Sequence, residues 1–366
     1  MRLTIEHVEP AVFGGAVLGA GGGGWIPDGL ERGRLAVAFG TPELMSIDDV
    51  ADDVFLATAA MVGAPSPKER FVRPVDFVRA AQLLVERAGV RLGGFIANEN
   101  GAGGTVNGWL QAAALGVPVV DAPCNGRAHP TGVMGAMGLH RVTGYTSHQA
   151  AVGGNPAMGR YVEVYAMGAL RHTAALTRAA SVEAGGLVAV ARDPVEASYV
   201  RAHGAPGAIA MAIEVGRRLL AARDQGGTAA AVAVAEHLGG RVLDTGSVEA
   251  ARLQVRGGYD VGTVIVRGRH AQYELTFWNE YMTAEADGER VATFPDLIAT
   301  LSARDGTPVA TAEMSVGMGV VVLTVPRSRL PLGAGMRDPT LFEDVERVIG
   351  KEVVRHVFPP DHDTAT

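Results

Sequence analysis

The only cysteine of the chain lies in a short polar loop whose side chains could carry out chemistry. The stretch VVDAPCNGRAHP (119–130) contains Asp121, Cys124, Arg127 and His129. A thiol beside an arginine or a histidine can have a lowered pKa and act as a nucleophile. Thiolate, imidazole and carboxylate also bind zinc. A lone cysteine can equally be a small buried apolar residue, so the sequence leaves these three roles open.

Histidines close to this loop extend the metal hypothesis. His129, His140 and His148 fall within twenty residues of one another. Zinc takes three or four ligands from histidine, cysteine and carboxylate side chains. The spacing matches no standard zinc motif such as His-Glu-x-x-His. Zinc is therefore the candidate cofactor, with Asp121, Cys124, His129 and His140 as candidate ligands, and each histidine alone fits a surface or core position.

A glycine-rich loop, ENGAGGTVN (99–107), precedes a predicted helix. Free N–H groups and the dipole at a helix N-terminus favour a negatively charged ligand. Asn100 and Gly103 are therefore candidate substrate-binding residues. Glu99 is a candidate general base or acid, with an exposed loop carboxylate as the alternative.

The run GAGGGG (19–24) contains the spaced glycines of a dinucleotide-binding loop. The residues that follow, beginning with Trp25 and Pro27, do not start a long helix, which disfavours that reading. A tight turn is one alternative. A nest of backbone N–H groups that binds an oxyanion or carboxylate is the other, with Gly22 and Gly23 as candidate substrate contacts.

The segment TFWNEYMTAE places Asn279 and Glu280 between apolar residues. A buried amide and a buried carboxylate must find partners or face a cleft, because burying them without partners costs free energy. We therefore include both among the candidate substrate-binding residues.

The order of predicted elements places the two polar loops together. GGFIAN and VPVVDA are predicted strands, and the segment between them contains a helix that ends at Gly116. A strand, a helix and a strand with short connections form a right-handed parallel unit. The loops at 99–104 and 123–130 then leave the same edge of the sheet, where ligands bind in open α/β folds.

The remaining pattern predicts two domains. Strands are expected at 34–40 and after Asp53, with a turn at 63–67, and a helix is expected over 150–182. Shorter alternating strands follow after about residue 226. We predict an α/β fold with a parallel-sheet N-terminal domain at 1–180 and a smaller, β-rich (α+β) C-terminal domain at 181–366.

Composition limits the classes of function. The chain has 366 residues, of which 48% are hydrophobic and 19% charged, so it can bury a large core. A net charge of −7, no basic run and 5% aromatic residues argue against nucleic-acid binding. No apolar stretch reaches membrane-spanning length. A single cysteine fits a reducing cytoplasm, and we expect a homo-oligomer with a small-molecule substrate.

Several segments together resemble the S-methyl-thiohydantoin desulfurase-like family over most of the chain. The segments are LGAGGGG, MVGAPSPKE, ENGAGGTVN, DAPCNGRAHP, GGYDVGTVIVRG, LTFWNEYMTAE and FPDLIATLSARDGTPV. The resemblance implies a cytoplasmic protein with the two domains just described, related in context to hydantoinase and oxoprolinase systems. Named members act on a 2-methylthio-hydantoin ring and release methanethiol. Many members have DADGMGRAFP where this chain has DAPCNGRAHP, so Cys124 and His129 distinguish this version.

These observations lead to one principal hypothesis, a hydrolase of a small five-membered cyclic imide or thiohydantoin-type ring. Either a metal or Cys124, activated by His129, would promote the attack, with Glu99 as base or acid. Arg127 and the glycine loops would bind an acidic substituent or the developing oxyanion. The alternative is a non-catalytic, small-ligand-binding subunit that partners a hydantoinase- or oxoprolinase-type enzyme. A third reading is a nucleotide-dependent enzyme using Gly19–Gly24.

Overall fold

The computed structural model describes residues 1–64, 66 and 69–359. Of the turn predicted at 63–67, Pro65 and Pro67 lie outside the described residues. The α-helices are α1 Ile5–Leu18, α2 Ile26–Phe39, α3 Pro74–Ala88, α4 Trp109–Leu115, α5 Leu170–Glu183, α6 Ala197–His203, α7 Ala208–Ala222, α8 Gly227–Leu238, α9 Pro339–Ile349 and α10 Val354–Val357. The strands are β1 Leu44–Ser46, β2 Phe55–Gly63, β3 Leu92–Ala97, β4 Val119–Asp121, β5 Ser147–Gly153, β6 Val162–Gly168, β7 Leu187–Glu196, β8 Arg241–Arg256, β9 Tyr259–Gly268, β10 Gln272–Trp278, β11 Glu280–Ala286, β12 Glu289–Thr293, β13 Leu297–Ser302 and β14 Gly319–Val325.

The first sheet has the strand order β1-β4-β3-β2-β7-β5-β6. Strands β1 to β4 pair in parallel, whereas β7, β5 and β6 join in antiparallel orientation. Phe95 and Ile96, neighbours on β3, pack into two different apolar cores on opposite faces of the sheet. A strand that is covered on both faces consists of consecutive apolar residues, and this pattern allowed β3 to be predicted from the sequence.

The predicted parallel unit is confirmed. Strand β3, helix α4 and strand β4 follow in that order, and β3 pairs in parallel with β4. Helix α4 ends at Gly116, whose φ of 67° is in the left-handed region that glycine adopts readily. The loops after β3 and β4 therefore leave the same edge, and the backbone N–H of Cys124 donates to the carbonyl of Ala97 at 2.9 Å.

Two predicted elements were wrong. The segment 34–40 was predicted as a strand, but most of it belongs to α2, whose buried positions Gly29, Arg32, Gly33 and Ala36 repeat at helical spacing. The segment 150–182 was predicted as a single helix. It forms β5, β6 and α5, because β5 and β6 pair as an antiparallel hairpin across the turn after Gly153.

The second sheet is antiparallel, with the order β12-β11-β10-β9-β8-β14-β13. One of its faces packs on α1, α7 and α8 through a core that includes Leu297, Val321 and Leu323. Helices α1 and α7 cross closely, since a Cβ atom at Gly14 would lie 1.7 Å from the carbonyl oxygen of Ala212. This close packing brings the loop after α1 toward the second sheet.

The architecture confirms the predicted fold class, an α/β N-terminal part followed by a β-rich C-terminal part. The division at residue 180 stays a prediction, and the first sheet takes its strand β7 from beyond that residue. Within residues 1–64, 66 and 69–359, none of the helices combines the length and the apolar character needed to cross a bilayer.

Candidate active site

A narrow cleft with a cavity volume of about 60 Å³ lies between the two sheets. Its walls are formed by three loops, which lie between α1 and α2, after β3 and after β4. Strand β7, helix α5 and the β10–β11 turn of the second sheet complete them. The polar side chains that line it are Asn98, Glu99, Asn107, His129, Thr131, Arg178, Arg192, Asn279 and Glu280. The structure thus brings together predicted residues from three distant segments.

Glu99 is buried at the floor of the cleft, directly after β3. Its Oε2 accepts a hydrogen bond from the backbone N–H of His129 at 3.0 Å. Burial raises the pKa of Glu99 to about 7, although that hydrogen bond and the charge of Arg192 act in the opposite direction. A carboxyl group with this pKa can both take and give a proton near neutral pH.

His129 lies against the same carboxyl group. Its ring Nε2 is 3.3 Å from Glu99 Oε2 and 3.4 Å from the carbonyl oxygen of Asn98. Burial and the charge of Arg192 lower the pKa of His129 to about 3, so the imidazole is neutral. Its Nδ1 is buried and has no hydrogen-bond partner within the described part of the chain. The ring therefore orients and shields Glu99 rather than forming an ion pair with it.

Glu280 brings a second carboxyl group to the cleft, at the start of β11. Burial and then the charge of Glu99 raise the pKa of Glu280 well above its usual range, which favours the protonated form of this carboxyl group. Its Oε2 has no hydrogen-bond partner among the described residues. A Cβ atom at Gly22 would lie 2.2 Å from Glu280 Oε1, so this glycine gives the carboxyl group its space.

Asn279 shapes the turn that carries Glu280. Its φ is 55°, a left-handed conformation that asparagine tolerates better than most residues. Its side-chain Oδ1 accepts a hydrogen bond from the backbone N–H of Asp260 at 2.9 Å, and its carbonyl accepts one from Thr311 Oγ1 at 2.6 Å. Asn279 therefore lines the cleft and also fixes the position of Glu280.

Two arginines supply positive charge to the cleft. Arg192 on β7 is 2% exposed, and its Nε has no hydrogen-bond partner among the described residues. Arg178 on α5 donates to the carbonyls of Gly258 and Pro130, at 3.0 and 3.4 Å, and stacks over the ring of Tyr259. A buried N–H group without a hydrogen-bond partner is costly, and an anionic ligand in the cleft would supply a partner for Arg192.

Cys124 lies outside the cleft. Its side chain is 1% exposed within an apolar core, and Sγ is 3.3 Å from Thr58 Oγ1. Burial raises the pKa of the thiol to about 11. The thiol is therefore protonated at neutral pH, and the structure favours the small buried residue among the three roles left open by the sequence.

The four candidate zinc ligands do not converge. Asp121 accepts hydrogen bonds from the backbone N–H groups of Ile209 and Ala210, at 2.7 and 3.1 Å, in the first turn of α7. His140 Nε2 lies 2.7 Å from Asp338 Oδ2, at the start of α9. Within the described ranges, no three histidine, cysteine or acidic side chains are placed to hold a metal ion. The arrangement of these side chains does not fit a zinc site.

Three predicted substrate-binding residues instead hold the loops in place. Arg127 is fully buried over the ring of Phe294 and donates to the carbonyl of Ala128 at 3.0 Å. Asn100 donates to the carbonyls of Gly126 and Ala208. The N–H of Gly103 donates to the carbonyl of Gly23 at 2.9 Å.

The loop Gly19–Gly24 joins α1 to α2. A dinucleotide-binding loop follows a strand and opens a helix. The 14-residue helix α2 does begin directly after this loop, so the expectation that no long helix starts there was wrong, but the loop follows a helix and not a strand. Gly23 packs against the backbone of Gly101, where a Cβ atom would lie 2.6 Å from the Cα atom. The glycines thus let two loops meet at the cleft.

Four polar residues of the cleft were not among the site residues predicted from the sequence: Asn98, Asn107, Arg178 and Arg192. Asn98 stands directly before Glu99 at the end of a buried strand, which is a signal that could have been used. Arg192 follows the apolar run LVAVA and precedes Asp193, and such a charged pair directly after a buried apolar run is also informative. Arg178 and Asn107 have no comparable local signal.

We expect Gly135→Ala to displace His129 and to lower activity. A Cβ atom at Gly135 would lie 2.2 Å from Cε1 and 2.4 Å from Nε2 of the His129 ring. A displacement of about 1 Å at a catalytic centre costs on the order of 100-fold in rate. Gly319→Ala, whose Cβ atom would lie 3.5 Å from that of Ala303, is the matched control. Unchanged activity of folded Gly135→Ala would contradict this role for the ring.

The fold and the site define an α/β protein with a cleft between its two sheets that is lined by two buried carboxyl groups. The S-Me-THD-like N-terminal domain matches residues 6–158, and the S-Me-THD-like C-terminal domain matches residues 170–332. The chain therefore belongs to the S-Me-THD-like family, which confirms the predicted resemblance. The two matched regions both contribute to the cleft.

The fold is similar to that of a protein from Chromobacterium violaceum solved by X-ray crystallography. The two chains are 20% identical, and the alignment covers 95% of this chain and 97% of the other with a TM-score of 0.69. At this identity the similarity shows the fold alone. A search of curated proteins finds no match.

Proposed function

We propose that the chain is a hydrolase of a small five-membered cyclic imide or thiohydantoin-type ring, with Glu99 as its general base. The observation that carries the proposal is the pair of buried carboxyl groups, Glu99 and Glu280, in one cleft. Burial raises both pKa values, to about 7 for Glu99 and well above the usual range for Glu280. Two interacting buried carboxyl groups lose their protons in separate steps, so one can act as base while the other acts as acid.

The reaction on a 2-methylthio ring can be written with these two groups. Glu99 takes a proton from water as the oxygen bonds to the ring carbon that carries sulfur. The C–S bond then breaks, and Glu280 gives its proton to the departing sulfur, which leaves as methanethiol. The ring keeps the water oxygen as a hydroxyl group, whose proton moves to a ring nitrogen to give the carbonyl. Transfer of one proton from Glu99 to Glu280 through solvent restores the site.

The charges of the cleft fit this assignment. Negative charge develops on the ring when water adds, and buried cations stabilise such charge strongly. Arg192 is close enough to affect the pKa of both Glu99 and His129. The neutral His129 ring excludes water from one side of Glu99 without adding charge. Arg192 therefore acts as the electrostatic stabiliser of the ring anion.

The test is turnover of a panel of hydantoins, succinimide-type imides, 2-thiohydantoins and 2-methylthio-hydantoins by the purified protein. A thiol reagent detects methanethiol, and mass spectrometry detects the ring product. Cys124→Ala is the control, because the thiol lies outside the cleft, and we expect it to retain activity. Binding without turnover of any ring would favour the ligand-binding subunit instead, and loss of activity in Cys124→Ala would restore a role for the thiol.

We expect Arg192→Met to lower kcat/KM by roughly 10- to 100-fold, as for loss of a hydrogen bond to a charged group. Because Arg192 lowers the pKa of Glu99, its removal also raises that pKa and moves the acidic limb of the kcat/KM profile to higher pH. Arg192→Lys should retain part of the activity. Arg218→Met, on an exposed arginine of α7, is the matched control. An acidic limb that does not shift would contradict the conclusion that the charge of Arg192 acts on Glu99.

A further inference from the structure

A chain of three side chains reaches from behind the cleft to Glu99. Arg32 Nη1 donates to Asn107 Oδ1 at 2.8 Å, and Asn107 Nδ2 donates to Asn98 Oδ1 at 2.9 Å. The three side chains come from α2, from the loop before α4 and from the end of β3. All three residues are buried, and both asparagines line the cleft.

The direction of the hydrogen bonds in this chain is forced by chemistry. A guanidinium group has only donors, so the atom of Asn107 that faces Arg32 must be its oxygen. The amide nitrogen of Asn107 then faces Asn98 and donates, so Asn98 must present its own oxygen there. This leaves the amide N–H₂ group of Asn98 as the part available to the cleft.

We propose that Arg32 and Asn107 are positioning residues that hold Asn98 with its N–H donors toward Glu99 and the bound ring. The inference rests on the proposed function in so far as the acceptors in the cleft are the ionised Glu99 and the anionic ring. A donor held in this direction stabilises negative charge without reorganising during the reaction. The Asn98 side chain lowers the pKa of Glu99, as a donor directed toward this carboxyl group would, and this agrees with the proposed orientation.

Contacts on several sides hold the Arg32 side chain in one position. Its guanidinium stacks over the ring of Phe77 at 4.7 Å, and its Nε donates to the carbonyl of Asp28 at 3.3 Å. A Cβ atom at Gly103 would lie 2.2 Å from Nη2. Gly103, a predicted substrate contact, thus leaves room for the arginine that orients the asparagines.

The decisive comparison is between Asn107→Asp and Asn107→Leu, two side chains of similar size. An aspartate accepts hydrogen bonds from both Arg32 and Asn98, so Asn98 must turn its oxygen toward Glu99 and the cleft. A leucine leaves Asn98 free to adopt either orientation but removes the hydrogen-bond partner of the Nη1 group of buried Arg32. The first variant fixes the wrong orientation, whereas the second costs more stability.

We expect the two variants to rank in opposite order in activity and in Tm. Asn107→Asp should lose roughly 100-fold or more in kcat, the size of losing one stabilising donor, while its Tm is the higher of the two. Asn107→Leu should lose less kcat and more Tm. The same order in both measurements would overturn the proposal, because a merely structural role makes the less stable variant the less active one.

A spectroscopic measurement tests the orientation without any substrate. The side-chain amide signal of Asn98 in a ¹H–¹⁵N spectrum is identified by its absence from Asn98→Asp. In the wild type its proton shift should follow the ionisation of Glu99, with a midpoint near the pKa of about 7, and this titration should vanish in Glu99→Gln. In Asn107→Asp the pH-dependent change in the Asn98 proton shift should be several-fold smaller.

The two readouts separate the possible failures. Absence of turnover of every ring, together with an Asn98 signal that titrates as expected, would refute the proposed function and leave the orientation intact. An Asn98 signal that does not titrate in the wild type, or is unchanged in Asn107→Asp, would overturn the inference whatever the activity.

Discussion

Glu99→Gln is expected to lower kcat/KM by roughly 100- to 10,000-fold, the usual contribution of a general base. The substitution keeps the size of the side chain and its hydrogen bond from the backbone of His129, but it removes the group that takes the proton from water. A loss confined to KM would contradict the assignment, because binding alone would then have changed.

The pH dependence of kcat/KM provides a second test of Glu99 as the general base. The pKa of Glu99 is about 7 because the side chain is buried. The base must be ionised, so kcat/KM of the wild type should rise with pH through about 7. It should fall again at higher pH as Glu280 loses its proton. These apparent values belong to the interacting pair of carboxyl groups. A residual activity of Glu99→Gln that no longer rises through pH 7 would complete the assignment.

Glu280→Gln is expected to lower activity and to raise stability at the same time. Burial and the charge of Glu99 raise the pKa of Glu280 in the folded state. A carboxyl group with a raised folded pKa keeps its proton when folded and loses it when unfolded, so its contribution to the free energy of unfolding falls as pH rises above about 4.5. Glutamine has no such dependence.

The measurement is Tm as a function of pH for wild type and Glu280→Gln. The Tm values of the wild type and the variant should be closest near pH 4, and the Tm of the variant should be several degrees higher at pH 8. Activity of the variant should fall on the order of 100-fold or more, because no proton is supplied to the leaving sulfur. Glu236→Gln, at an exposed position on α8, is the control. A variant that is less stable at pH 8 would contradict the raised pKa.

The sequence by itself determined the part of the site that depends on local pattern. The apolar strands β3 and β4 and the glycine that ends α4 specify a parallel unit. This unit places Glu99 and His129 at one edge of the sheet. Glu280 was recognisable because a carboxylate within an apolar strand must face a cleft or a partner. The family resemblance also followed from the order of many short segments.

Only the tertiary structure decided the roles that depend on burial and on distant partners. Cys124 is enclosed by an apolar core, and its thiol therefore keeps its proton. Asp121 and His140 bind the starts of α7 and α9, which lie far along the chain. Arg192 and Arg178 reach the cleft from β7 and α5. The type of a residue limits what it can do, whereas desolvation and partners from other segments decide which of those roles it takes.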